Sequence, residues 1–331
     1  MFLLCLLSGL FNAIVTAFDN GIVRFIGKSA PESVKVDSLT TALVYLSLGG
    51  TVGVATQFVT SNFFGKRISA DFTGIKLFTG QAQKAACFSG FLSAAAMMFY
   101  LWGSQLADPS VTTVLSNVTV VYLLGYDALT KHVKLRWLWL PALLILGGAV
   151  LTAWNNEARF DATMLGLGVL LIGRGVPLAL SQVVNQGGVR QASDPVNYAF
   201  QRFYWLAIWG VILGFFVSVS RGALGAWLGL LRAAFWPALP WIVALMFFVT
   251  FANAFEMAAR KQSQASIVSL LLVVQVVFVF VITVAGDWLW SGIFGALPDS
   301  HLVWFGRFAG AGVVTAGAFL VRHYQARATG T

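Results

Sequence analysis

Ten stretches of roughly 20 apolar residues constrain this chain more than any motif does, because that is the length a helix needs to cross a hydrocarbon core. They fall at about 2–18, 41–63, 84–106, 110–127, 136–154, 162–185, 198–219, 238–258, 264–286 and 302–322. Each stays apolar on all sides, unlike the alternating ten-residue strands of an outer-membrane barrel. Only 10% of the 331 residues are charged, against about 25% in soluble domains. A globular cytosolic enzyme, a disordered chain and a fibrous repeat are therefore excluded. The expected class is an all-α integral membrane protein with ten transmembrane helices.

The connections are short. The longest are 19–40, 64–83 and 220–237. The last, RGALGAWLGLLRAAFWPA, sets Trp and Leu beside two arginines and predicts a helix lying in the membrane interface. The opening MFLLCLLSGLFNAIVTAF lacks a charged leader and a small-residue cleavage site, so it is expected to be a retained first span. With the N-terminus inside, thirteen of the 21 Lys and Arg residues fall on the inner side, Lys66, Arg67, Lys131 and Arg260 among them. Seven fall outside, and Arg174 lies within a span. This bias predicts a multi-pass protein of the bacterial cytoplasmic (inner) membrane with both termini cytoplasmic. It also explains the net charge of +9 without a nucleic-acid partner.

Cys5 and Cys87 both lie in apolar segments, and His132, His301 and His323 are far apart with no carboxylate at ligand spacing. No disulfide framework, metal site or other cofactor is expected. No GxxxxGK[ST] pattern is present to cradle ATP phosphates. The expected partners are a small-molecule cargo and membrane lipids.

Ten spans divide as five plus five. An odd number per half inverts the second half relative to the first, the arrangement of many transporters, whose cargo site lies at the midplane between the halves. The fourth span, VLSNVTVVYLLGY, and the ninth, SLLLVVQVVFVFVI, each carry one amide in a β-branched run. Gly-rich spans follow both: LLILGGAVLTA and FAGAGVVTAGAFLV.

VLSNVTVVYLLGYDALTKHVKLRWLWLPALLILGGAVLTA resembles the end of an EamA-type repeat of the drug/metabolite transporter superfamily. SIVSLLLVVQVVFVFVITVAGDWLW followed by WFGRFAGAGVVTAGAFLV resembles the second copy. SDPVNYAFQRFYW, with Pro195 and Arg202, is similar to the family pattern between the first two helices of a repeat. Where the family commonly has a proline in the fourth helix and a glutamate after it, this chain has Thr119 and His132. The resemblance implies a ten-helix carrier with two pseudo-symmetric halves, residues 1–155 and 156–331, and alternating access.

Arg174, in LIGRGVPLALSQ, is the most informative residue. A charge at a helix centre costs on the order of 2.5–3.5 kcal/mol on insertion scales, and such groups face the protein interior or a wet cavity. Pro177 removes the helical bond to Gly173, so an irregular turn is expected here. In the functional reading, Arg174 lines a chamber as its lone guanidinium and holds an anionic or carboxylate-bearing cargo. In the structural reading it forms an ion pair or a plug on backbone carbonyls. Asn117 and Gln275 either bind cargo as quasi-symmetric amides or hold helices together. Gln182 is expected below Arg174 toward a cytoplasmic exit, with Asn185 beyond it as an end cap. Glu256 with Arg260, and Asp127 with Lys131, read first as helix-end i,i+4 ion pairs. They are also the two carboxylates placed for proton coupling. GGTVG (Gly49–Gly53) and GRFAG (Gly306–Gly310) allow close helix packing, inside the chain or in a homodimer.

The leading expectation is a secondary transporter, an exporter or exchanger of a small metabolite or amphipathic compound, and not an enzyme. The alternatives are an intramembrane lipid-modifying enzyme, for which Asp127 and His132 are the one inner-end acid–histidine pair, and a non-catalytic scaffold subunit.

Overall fold

The structure, a computed structural model, describes residues 1–30, 36–77, 80–106, 119–130, 135–152, 168–289 and 301–329. Every regular element among them is a helix: α1 (Phe2–Lys28), α2 (Ser38–Ile68), α3 (Gly80–Leu106), α4 (Thr119–Leu129) and α5 (Leu135–Thr152) come first. A π-helical turn (Val169–Arg174) then runs into α6 (Gly175–Ala192). It is followed by α7 (Pro195–Ser220), α8 (Leu224–Gln262), α9 (Ala265–Leu272), α10 (Gln275–Leu289) and α11 (His301–Thr329). Five of these, α1, α2, α3, α7 and α8, are long and apolar enough to cross a membrane. Large apolar side chains cover the outside, and polar ones share the interior with an apolar core. Phe63, Phe216, Trp236 and Phe305 face outward, while Asp19, Gln57, Gln201 and Arg260 are buried. That distribution suits lipid outside and a polar interior.

Three expectations are corrected. First, α1 continues ten residues past the predicted end at 18. The polar Asp19 does not end it, because Tyr45 donates a hydrogen bond to the Asp19 carboxylate inside the bundle and Ile22, Val23 and Ile26 are buried beyond it. Second, 224–237 is not a separate interfacial helix. It forms the first turns of α8, with Trp227, Leu230 and Ala234 in the main core, and the helix carries Pro237 and Pro240 inside it. Third, the ninth span is broken at Val273–Val274. There the backbone makes i→i+3 bonds, Val273 N to Leu270 O at 3.3 Å and Val276 N to Val273 O at 3.0 Å. Non-helical backbone at membrane depth is tolerated where protein covers it or where it lines a cavity, and Val273 is fully buried.

Two aspartates start the helices at the centre of the molecule. Asp37 caps α2 by accepting from Thr40 N at 2.9 Å. Asp194 caps α7 by accepting from Val196 N and Asn197 N, both at 3.1 Å, with Pro195 in the first-turn position that suits it. Ser193, between α6 and α7, takes a left-handed φ of 58° to make that two-residue connection.

α2 packs on α7 and α8, α3 on α6 and α7, and α1 on α8, while α5 pairs with α11. Small residues set these crossings. A Cβ on Gly50 would stand 3.0 Å from Ala207 Cα, and one on Gly148 would stand 2.7 Å from Gly310 O. Both small-residue stripes therefore serve packing within the chain.

Candidate functional site

Between these helices lies a cavity of about 240 Å³. α2 presents Tyr45, Leu46, Gly49 and Gly50 to it, and α8 presents Met246, Val249, Asn253 and Glu256. Those spacings of one, three and four residues keep each set on one helix face. α1 adds Asn12, Val15 and Asp19, and α7 adds Arg202, Phe203 and Leu206.

α2 and α7 cross antiparallel. Gly50 meets Ala207, Gly53 meets Phe203, and Gly210 meets Leu46. Tyr45 and Arg202 each lie five residues from this crossing, on opposite sides of it. At 1.5 Å per residue they are about 15 Å apart along the helix axes. The cavity thus has two polar poles with apolar wall between them.

At the first pole the Tyr45 hydroxyl donates to Asp19. The Arg174 guanidinium carbon lies 4.0 Å from the centre of the Tyr100 ring, a cation–π stacking, and Arg174 and Asp19 are close enough for their charges to interact. Arg174 ends the π-helical turn, so the irregular winding expected around Gly173 and Pro177 is present. π-Turns of this kind recur at functional sites.

At the second pole Arg202 Nη2 donates to Asn253 Oδ1 at 3.0 Å. Arg260, fully buried, donates from Nε to Glu256 Oε1 at 2.9 Å and from Nη2 to Ser269 Oγ at 3.1 Å. Ser269 Oγ in turn donates to Gln182 Oε1 at 2.7 Å. Each member of this chain satisfies the next, as a buried polar network requires.

Four of the six expected site residues, Arg174, Gln182, Gln275 and Glu256, line this one cavity. Glu256 also makes the ion pair with Arg260. Asn117 lies outside the described residues, as do Lys131 and His132. Asp127 is buried in α4 but is not among the lining residues. Asn185 is no end cap: it is buried within α6, donating to Ser181 Oγ at 3.4 Å and accepting from Tyr198 at 3.2 Å. The chamber does not hold a lone guanidinium, since Arg202 faces it as well.

Asp19, Tyr45, Arg202 and Asn253 were not legible as site residues. Asp19 lies just past the apolar run that ends at 18, and Arg202 reads as one more positive charge near an inner helix end. A usable signal existed: Tyr45 and Arg202 both stand eight residues after a helix-capping aspartate. Among the described residues no cluster of three His, Cys, Asp or Glu could hold a metal ion.

No family model matches the chain, and no curated protein matches it. Among solved structures, one known only as a crystal structure of a protein aligns with a TM-score of 0.54. It is 16% identical, over 95% of this chain and 98% of its own. That likeness extends to the fold alone.

Proposed function

We propose that this chain is a secondary carrier that moves a small metabolite or amphipathic compound across the cytoplasmic membrane, by export or exchange, with both termini cytoplasmic. In this reading it is an EamA-like member of the drug/metabolite transporter superfamily, built of inverted five-helix repeats over 1–155 and 156–331. The observation that carries it is the two-poled cavity enclosed between helices from both halves.

The contacts around the cavity support the repeat. A shift of 157 positions carries Gly50 onto Ala207, Leu46 onto Phe203 and Gly53 onto Gly210, so it exchanges the Gly53–Phe203 contact with Leu46–Gly210. The same shift carries the capping Asp37 onto Asp194 and Tyr45 onto Arg202. In α5 and α11 a shift of 169 exchanges Gly148–Val314 with Ile145–Gly317. Antiparallel crossing at such equivalent residues is what a two-fold axis in the membrane plane produces. The broken α9–α10 segment, with Leu272 and Gln275 on the cavity wall, is a further carrier trait.

Each face is held by a tie between the halves. Arg221 joins Asp37 at 2.5 Å at one end, and Lys261 joins Asp71 at 2.7 Å at the other. Exposed pairs of this kind contribute about 0–1 kcal/mol, so neither tie locks its face. Counterflow into proteoliposomes, run with a panel of labelled organic acids, amines and neutral amphipaths, tests the reading. At least one compound crosses faster than in protein-free liposomes, and Arg174→Ala abolishes that flux while the protein stays folded. No accelerated compound, or normal flux with Arg174→Ala, contradicts it.

A further inference from the structure

Among the described residues, three guanidiniums around the cavity are answered by two carboxylates. Arg260 is paired with Glu256 at 2.8 Å. Arg174 has the Tyr100 ring beneath it and the charge of Asp19 within range. Arg202 makes no ion pair among the described residues. Its hydrogen-bond partner is a neutral amide, Asn253, and its Nε is buried without a hydrogen-bond acceptor although the residue lines the cavity. At 8% exposure it is a charge taken out of water without full compensation, an arrangement that is costly unless an anion completes it.

We propose that Arg202 is the anion-holding residue of the cavity and that the cargo is a water-soluble organic monoanion with an apolar body. This rests on the reading of the cavity as a carrier's cargo site. A guanidinium without a counter-charge takes a carboxylate through charge-assisted hydrogen bonds. Phe203, Leu206, Met246 and Val249 line the wall between the poles and cover the body of such a molecule. The unanswered charge is single, so a monoanion neutralises the chamber. A dianion leaves one negative charge over, and a cation meets Arg202 without compensation. The Arg174 pole already holds its counter-charge and is left to orient the far end of the cargo.

The test uses three probes of one shape and three charges: phenylacetate, phenylacetamide and phenethylamine. Each is titrated onto the purified full chain in nanodiscs and followed by thermal shift, since a ligand of the folded state raises its melting temperature. Phenylacetate stabilises the protein and the other two do not. Arg202→Gln, which keeps a donor for Asn253, weakens phenylacetate by about tenfold or more, and Arg202→Lys retains part of the affinity. If Arg202→Gln does not fold, the charge series on the wild-type chain and Arg202→Lys still decide the matter.

Equal binding of the amide or the amine, undiminished phenylacetate binding by Arg202→Gln, or no binding of any probe at millimolar concentration overturns the proposal. So does phenylacetate binding that is lost in anionic nanodiscs even at high ionic strength, where surface repulsion is screened, which identifies an anionic lipid headgroup as the occupant. Binding that depends on Arg202 without phenylacetate counterflow in proteoliposomes leaves this inference standing and overturns the carrier reading instead.

Discussion

Replacing Glu256 with Gln removes the counter-charge of Arg260, the most deeply buried charge among the described residues. Arg260 is fully buried, and its Nε and Nη2 both reach Glu256 Oε1, at 2.9 and 2.8 Å. Its other partners are neutral: Ser269 Oγ at 3.1 Å and Ala265 O at 3.5 Å. Glu256→Gln leaves that guanidinium without a counter-charge, a loss of about 3–5 kcal/mol for a broken buried pair. Total stability is only about 5–15 kcal/mol, so the variant sits near the edge of folding. The reverse change, Arg260→Met, is milder, because Glu256 still borders the cavity and the nearby Arg202 charge. The double variant Glu256→Gln/Arg260→Met recovers most of the loss, since removing both charges is often close to neutral. Reversible unfolding in mixed micelles, followed by far-UV circular dichroism over all four corners of the cycle, measures these terms. A loss below about 1 kcal/mol for Glu256→Gln, or a double variant as unstable as that single one, refutes the reasoning from desolvation.

At the α2–α7 crossing, Gly50→Ala places its Cβ 3.0 Å from Ala207 Cα and costs about 1–3 kcal/mol by overpacking. Gly187→Ala on α6, where nothing lies within 4 Å, gains about 0.5–1 kcal/mol of helix stability, and the same unfolding assay separates the two. Outside the spans, partial burial acts to raise the Asp37 carboxyl, but the hydrogen bonds from Arg221 and Thr40 outweigh it and hold the group at about 2. The stabilisation is therefore fully present above the unfolded carboxylate value of about 4 and is lost as pH falls from there through about 2. Melting of wild type and Asp37→Ala compared across that range shows a gap of about 1 kcal/mol from the cap at pH 6, closing in acid; a gap independent of pH contradicts the assignment.

Helices were readable because lipid as solvent leaves little choice: an apolar run of the right length has nowhere else to satisfy its backbone. Boundaries were less readable, because tertiary partners decide them. Asp19, Asn20 and Gly21 look like an exit from the membrane until Tyr45 supplies a partner within the bundle. The Trp- and Leu-rich 224–237 segment looks interfacial until Trp227 and Leu230 are seen buried in the core. Arg174 was conspicuous because a charge inside an apolar run has few uses. Arg202 was not, since two turns from a helix start it resembles any orientation-setting arginine. Only its shared register with Tyr45, eight residues beyond a capping aspartate, sets it apart. Pairing across the crossing, such as Gly53 with Phe203 and Leu46 with Gly210, is a long-range property that hydropathy does not carry.

If the cavity is a passage and not a pit, a thiol on its wall is reachable from both sides of the membrane. Cys5 and Cys87, both free thiols, are first replaced with Ala, and Val249→Cys then places one thiol on the cavity wall. Sealed vesicles of known orientation are treated with a membrane-impermeant maleimide on one face at a time. Alternating access predicts that the Val249→Cys thiol reacts from either face. Reaction from one face alone, whatever solutes are added, contradicts the account.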